Sequence, residues 1–123
     1  MFEVIVRRSF SAAHALRHYH GATEPLHGHN YAVEVVLRGK SLQNKVKYLV
    51  DFTAVHQALE AILKPLNYVN LNETPPFDRE NPSAENVALF IGQQLAKRWK
   101  ARGVSIGSVT VWETEAQAAR YLP

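Results

Sequence analysis

Cysteine is absent from this 123-residue chain. That absence excludes disulfides, thiolate metal ligands and a cysteine nucleophile, and it suits the cytoplasm as the expected compartment. Long apolar runs are also missing. None approaches the roughly 20 residues that a membrane-spanning helix needs, and the first residues carry no signal-peptide pattern. No membrane partner is expected. Repeats, low-complexity tracts and linkers are lacking too, so residues 1–123 read as a single domain. Charge of one sign is not concentrated. Lys plus Arg outnumber Asp plus Glu by only 14 to 11, and basic residues such as Arg7, Lys45, Lys97 and Arg102 are scattered along the chain. A nucleic-acid binder more often shows a basic stripe interleaved with aromatics, so no nucleic-acid partner is expected.

What the chain does contain is periodicity. Phe2, Val4, Val6, Phe10, Ala12 and His14 fall on alternate positions, interrupted at Arg8, and predict a strand with one face in a core. His27, His29, Tyr31, Val33, Val35 and Leu37 predict a second, with Asn30, Glu34 and Arg38 on its other face. A loop over 18–25 separates them, and a short strand is expected over Val46–Val50. Asp51 can cap a helix whose stripe is Phe52, Val55, Leu59, Ile62, Leu63 and Leu66, ended by Pro65. Residues 67–79 read as a loop. A second helix, opening near Ser83, carries Val87, Phe90, Ile91, Leu95 and Trp99, with Gly103 as its expected stop. Val109, Val111 and Glu113 share one face of a last long strand. The pattern is α+β: an antiparallel sheet with helices covering one face.

The histidine phase carries chemistry. His27 and His29 lie two apart on one strand and therefore point the same way, in phase with Tyr31, Val33 and Val35. His14 continues the apolar phase of the first strand. Three imidazoles aimed at a covered face need partners. A shared metal is one solution, and three histidines leave a fourth zinc position open, as in catalytic sites. On spacing alone, unrelated core histidines fit as well as a metal site.

The stretches Phe10-Ser11-Ala12-Ala13-His14, Leu26-His27-Gly28-His29, Asp51-Phe52, Asn81-Pro82-Ser83-Ala84-Glu85-Asn86 and Trp112-Glu113-Thr114 closely resemble the 6-pyruvoyl-tetrahydropterin synthase and 6-carboxy-tetrahydropterin synthase family. The match runs in order along almost the whole chain. The resemblance implies the tunnelling fold, a four-stranded antiparallel sheet with two helices on one side. It also implies that such sheets join into barrels in a homo-hexamer, a dimer of trimers with sites between subunits. It makes His14, His27 and His29 the ligands of a Zn2+ cofactor. Glu113 would bind the amino and ring N–H groups of a pterin substrate, a planar donor edge that suits a two-oxygen acceptor. Thr114 and Ser83 would be lesser pterin contacts, although Ser83 equally suits a helix cap.

Two departures from the family pattern shape the expected reaction. The usual cysteine base stands four residues before the first histidine of L-H-G-H, and that position is Thr23 here. Glu24 instead matches the E-x-x-H-G-H form of a variant branch, whose members release 6-hydroxymethyl-dihydropterin from dihydroneopterin. A glutamate beside a metal-bound substrate can serve as general base. The usual Asp-His pair is replaced by Asn67-Tyr68, which leaves Tyr68 as a candidate proton donor and His18, His20 and His56 as substitutes from elsewhere. The expected function is a zinc-dependent, retro-aldol pterin lyase with catalytic Glu24 and Tyr68. The alternatives are a 6-carboxy-tetrahydropterin synthase acting on dihydroneopterin triphosphate and a low-turnover, zinc-holding pterin-binding protein.

Overall fold

The two alternating runs at the start of the chain become long strands, β1 (Phe2–His14) and β2 (His27–Gly39), in a computed structural model that describes residues 1–123. They pair antiparallel in unbroken register from Phe2↔Gly39 to His14↔His27. Helix α1 (Phe52–Leu63) follows, then the two-residue β3 (Val69–Asn70), helix α2 (Ala84–Arg98), β4 (Val104–Thr114) and β5 (Gln117–Tyr121). The sheet order is β3-β1-β2-β4-β5, antiparallel except where β3 runs parallel to β1 at Ala12 and Ala13.

The expected, mostly antiparallel sheet with two helices on one face is therefore present, but it has five strands rather than four. Residues 46–50 form no strand. A turn at 44–46 is closed by the Lys47 N–H donating to the Gln43 carbonyl at 3.0 Å, and Leu49 and Val50 enter the core as irregular chain. Two adjacent buried residues break the alternation that a half-buried strand requires. Any Cβ at Gly39 would lie 2.5 Å from Leu49 Cδ1 and 2.7 Å from the Gly103 carbonyl oxygen, so this segment can close over the sheet end only against glycine. Strands β3 and β5 were not foreseen. Two residues are too few for a periodicity, and Gln117-Ala118-Ala119-Arg120-Tyr121 is too polar to signal a buried face.

The core lies between sheet and helices. Val6 and Phe10 of β1, Tyr31, Val33, Val35 and Leu37 of β2, and Val109 and Val111 of β4 meet Val55, Leu59 and Ile62 of α1 and Val87, Ile91 and Leu95 of α2. Arg8, which interrupts the apolar phase of β1, stays on the helix side by reaching Glu60 of α1 at 3.7 Å. Phe52 does not join the α1 stripe; it is exposed at the first turn. Nor does Gly103 end α2. That helix stops at Arg98, and Gly103 (φ +79°) makes the turn into β4. The scattered basic residues are also gathered by the fold. Lys40, Lys45, Lys47, Lys100 and Arg102 sit on the connections at the sheet end away from His14 and His27, and Lys97 lies in the last turn of α2 that leads into them. No helix is long and apolar enough to cross a membrane.

Candidate active site

Antiparallel register alone brings the first two histidines together. His14 ends β1 and His27 begins β2, directly opposite one another, and His29 follows two residues on from the same face. Their ring centroids are 4.6 Å (His14–His27), 5.0 Å (His14–His29) and 4.7 Å (His27–His29) apart. Glu113 arrives from β4 at a bulge. Trp112 pairs with Ala118 and Thr114 with Gln117, so Glu113 is the extra residue in the β4–β5 ladder, while its phase with Val109 and Val111, opposite Val35 and Val33 of β2, keeps it on the face of the histidines. One ligand atom from each of His14, His27, His29 and Glu113 lies within 4.8 Å of all the others.

Backbone carbonyls set two of the tautomers. His14 Nδ1 is 2.7 Å from the Pro82 carbonyl oxygen, and His27 Nδ1 is 3.0 Å from that of Pro25. A carbonyl only accepts, so both Nδ1 atoms carry the proton and both Nε2 atoms present lone pairs. Those Nε2 atoms face each other at 3.0 Å. Two acceptors at that distance repel unless a cation lies between them. His29 Nε2 is buried without a hydrogen-bond partner. Burial holds the His29 imidazole below its ordinary range; Glu113 opposes the effect, and the His14 and His27 rings reinforce it. A neutral, unpartnered imidazole beside two inward lone pairs fits a metal. Ligands about 2.0–2.1 Å from a tetrahedral zinc stand roughly 3.4 Å apart, close to the separations found.

The remaining sequence candidates separate into groups. Glu24 lies at the rim, its Oε1 accepting the Leu16 N–H at 3.0 Å and standing 3.9 Å from His27 Nδ1. Ser83 is the cap of α2, its Oγ accepting the Asn86 N–H at 3.1 Å. Thr114 is exposed and its Oγ1 accepts the Ala116 N–H, which stabilises the β4–β5 turn. Tyr68 lies outside the ligand cluster, 84% exposed at the β1 edge with φ +59°, yet it lines with His29 a second cavity of about 480 Å³. Beside it, Asn67 Oδ1 accepts the Ser11 N–H at 2.9 Å, a structural clasp. His18 and His20 are exposed in the loop between β1 and β2, and His56 lies on α1; none joins the cluster. A cavity of about 680 Å³ opens at this end of the sheet, lined among others by Arg7, Gly28, His29, Trp112, Glu113 and Thr114.

Several supporting residues escaped the sequence reading. Tyr31 forms the floor: fully buried, stacked on Phe10 at 4.7 Å and edge-on to His14 and His29. Its phase with His29 was the available signal. Burial, with Glu113 and Glu24 behind it, pushes its phenol above the ordinary range, so it stays neutral. Asn72 exchanges two hydrogen bonds with the Ala15 backbone, and Asn81 does the same with Arg17. These amides hold the chain beyond His14 in place of a neighbouring strand. Asn81 also precedes Pro82, whose carbonyl fixes His14. Asn81→Ala should therefore weaken metal binding about 10- to 100-fold, the scale of an outer-sphere loss, while circular dichroism stays unchanged.

Comparison with known proteins decides the family. The family model described as 6-pyruvoyl tetrahydropterin synthase matches residues 3–123. The chain belongs to that family. It is thus a pterin enzyme of the lyase type, acting on the pterin side chain. A dihydroneopterin monophosphate aldolase from Pyrococcus furiosus is 34% identical over 110 residues, covering 89% of this chain and 88% of that protein. A 6-carboxy-5,6,7,8-tetrahydropterin synthase from Synechocystis sp. is 33% identical over 117 residues, covering 92% and 87%. A Plasmodium vivax 6-pyruvoyltetrahydropterin synthase, solved as a variant with a catalytic glutamate changed to alanine, superposes with TM-score 0.76 at 25% identity, covering 98% and 96%. The Caenorhabditis elegans enzyme shares the fold at TM-score 0.83 and 24% identity, over 100% of this chain and 97% of that one.

Proposed function

We propose that this chain is a zinc-dependent lyase of the glutamate type, which cleaves the C6 side chain of dihydroneopterin or its monophosphate. The observation that carries this reading is Glu24. In a chain without cysteine, its carboxylate is fixed by the Leu16 N–H and stands 3.9 Å from the His27 ring. The name of the Pyrococcus relative and the catalytic glutamate of the Plasmodium enzyme support the same reading.

Zinc held by His14, His27 and His29 would supply Lewis acidity toward the side-chain hydroxyls. Glu24 takes the proton of the C2′ hydroxyl. The C1′–C2′ bond breaks, its electron pair passes into the N5=C6 imine of the ring, and a proton returns at C1′. The products are 6-hydroxymethyl-dihydropterin and glycolaldehyde, or its phosphate, with no net oxidation or reduction. Glu113 orients the ring by accepting from its amino and N–H groups, Thr114 lines the same cavity, and Ser83 acts through the α2 cap. Tyr68, which lines a cavity with His29 in its own protomer and is exposed at the β1 edge, would also be open to a neighbouring subunit's site. That use fits a homo-hexamer built by closing sheets edge to edge. Away from Ala12 and Ala13 the outer edge of β1 is unpaired, as is that of β5, and such edges invite pairing.

The Synechocystis relative favours a second reading, 6-carboxy-tetrahydropterin synthesis from dihydroneopterin triphosphate. Zinc-loaded protein given dihydroneopterin, its monophosphate and its triphosphate separately distinguishes the two. Release of 6-hydroxymethyl-dihydropterin from either of the first pair supports the lyase. Turnover of the triphosphate alone overturns it.

A further inference from the structure

Glu113 is placed for two incompatible tasks. Its Oε2 lies 3.0 Å from His29 Nε2 and 3.6 Å from His14 Nε2, inside the ligand cluster. With Oε2 turned to the histidines, the carboxylate cannot present both oxygens to the donor edge of a pterin. Its relation to His29 is also unusual. At 3.0 Å the two atoms are close enough to bond, yet His29 Nε2 has no hydrogen-bond partner. The atoms approach without the alignment of a hydrogen bond, as two ligands do when both point at a third centre. The separations of 3.0 and 3.6 Å bracket the roughly 3.4 Å between neighbouring ligands of a tetrahedral zinc.

Resting on the three-histidine centre and pterin substrate proposed above, we propose that Glu113 is an exchangeable fourth metal ligand. Without substrate, its Oε2 completes the coordination and closes the site. When the pterin ring enters, its amino and N–H donors draw the carboxylate away, and the vacated position accepts a side-chain hydroxyl oxygen. One neutral oxygen ligand thus replaces one anionic oxygen ligand, and no bond to carbon changes. The bulge at Glu113 suits this exchange. The residue is the unpaired one of its ladder, at a strand end, and its side chain is partly exposed while His14 is fully buried. The open position would then form only where a pterin is bound, which keeps water and simple alcohols from the metal.

Cobalt(II) in place of zinc makes the coordination visible. Wild-type protein should bind cobalt with a four-coordinate visible spectrum, and Glu113→Ala should bind it roughly 10- to 100-fold more weakly with an altered spectrum. Titrating the wild type with pterin itself, which has no side-chain hydroxyls, should move its spectrum toward that of the variant. That second measurement needs no mutation, so it stands even if Glu113→Ala folds poorly. An unmoved cobalt spectrum, with pterin binding registered by fluorescence, would overturn the exchange. Failure of the wild type to take up cobalt at all would instead overturn the three-histidine centre.

Discussion

Glu24→Ala is expected to slow side-chain cleavage by roughly a hundredfold to ten-thousandfold, the usual contribution of a positioned acid or base. Metal content should not change, because Glu24 lies outside the cluster of His14, His27, His29 and Glu113. The Leu16 N–H complicates the alanine variant, since removing its acceptor also loosens the loop between β1 and β2. Glu24→Gln resolves this. The amide oxygen can still accept from Leu16 but cannot take a proton, so a catalytic role predicts equal loss in both variants. Recovery of activity in Glu24→Gln would make the residue a loop anchor. An unaltered rate in both would favour the low-turnover binding protein, as would tight pterin binding without product.

His14→Ala should be the most damaging substitution for the metal. Four-ligand zinc sites bind with about 10–16 kcal/mol, so each ligand accounts for roughly 3 kcal/mol, about a hundredfold in affinity. His14 should exceed that share. It is 1% exposed, and alanine also leaves the Pro82 carbonyl without its donor at the start of α2. His27→Ala removes a more exposed ring bonded only within its own loop, to Pro25, and should cost metal affinity with little loss of stability. Competition with a chromophoric chelator measures the affinities, and thermal melts of the metal-free proteins measure the stabilities. Equal metal affinity in His14→Ala and wild type would remove the proposed centre.

The parts of this molecule legible in its sequence are those where side-chain phase decides the outcome. Alternation over 2–14 and 27–37 placed β1 and β2 and aimed three histidines at one face. Spacing could not say that His14 and His27 are opposite each other; that follows from register, which the sequence does not print. Helix stripes and the caps Asp51 and Ser83 were equally legible, because they are local. Leu49 and Val50 misled because burial without a ladder looks like a short strand. Glu113 was legible as inward-facing by phase with Val109 and Val111, but its closeness to His14 and His29 depends on β4 lying beside β2, a pairing between distant segments. Asn72 and Asn81 read as loop residues. Their work is done across 57 and 64 residues of sequence separation, beyond any local signal.

The central claim is that the C1′–C2′ bond of a dihydroneopterin side chain is cleaved with electrons returned to C1′. Zinc-loaded protein turning over dihydroneopterin or its monophosphate in deuterated water, followed by mass spectrometry, tests it most directly. The account predicts 6-hydroxymethyl-dihydropterin carrying one solvent-derived deuterium on its hydroxymethyl carbon, with one glycolaldehyde or glycolaldehyde phosphate per turnover. A pterin product that keeps all three side-chain carbons, or a hydroxymethyl product without that deuterium, would contradict it.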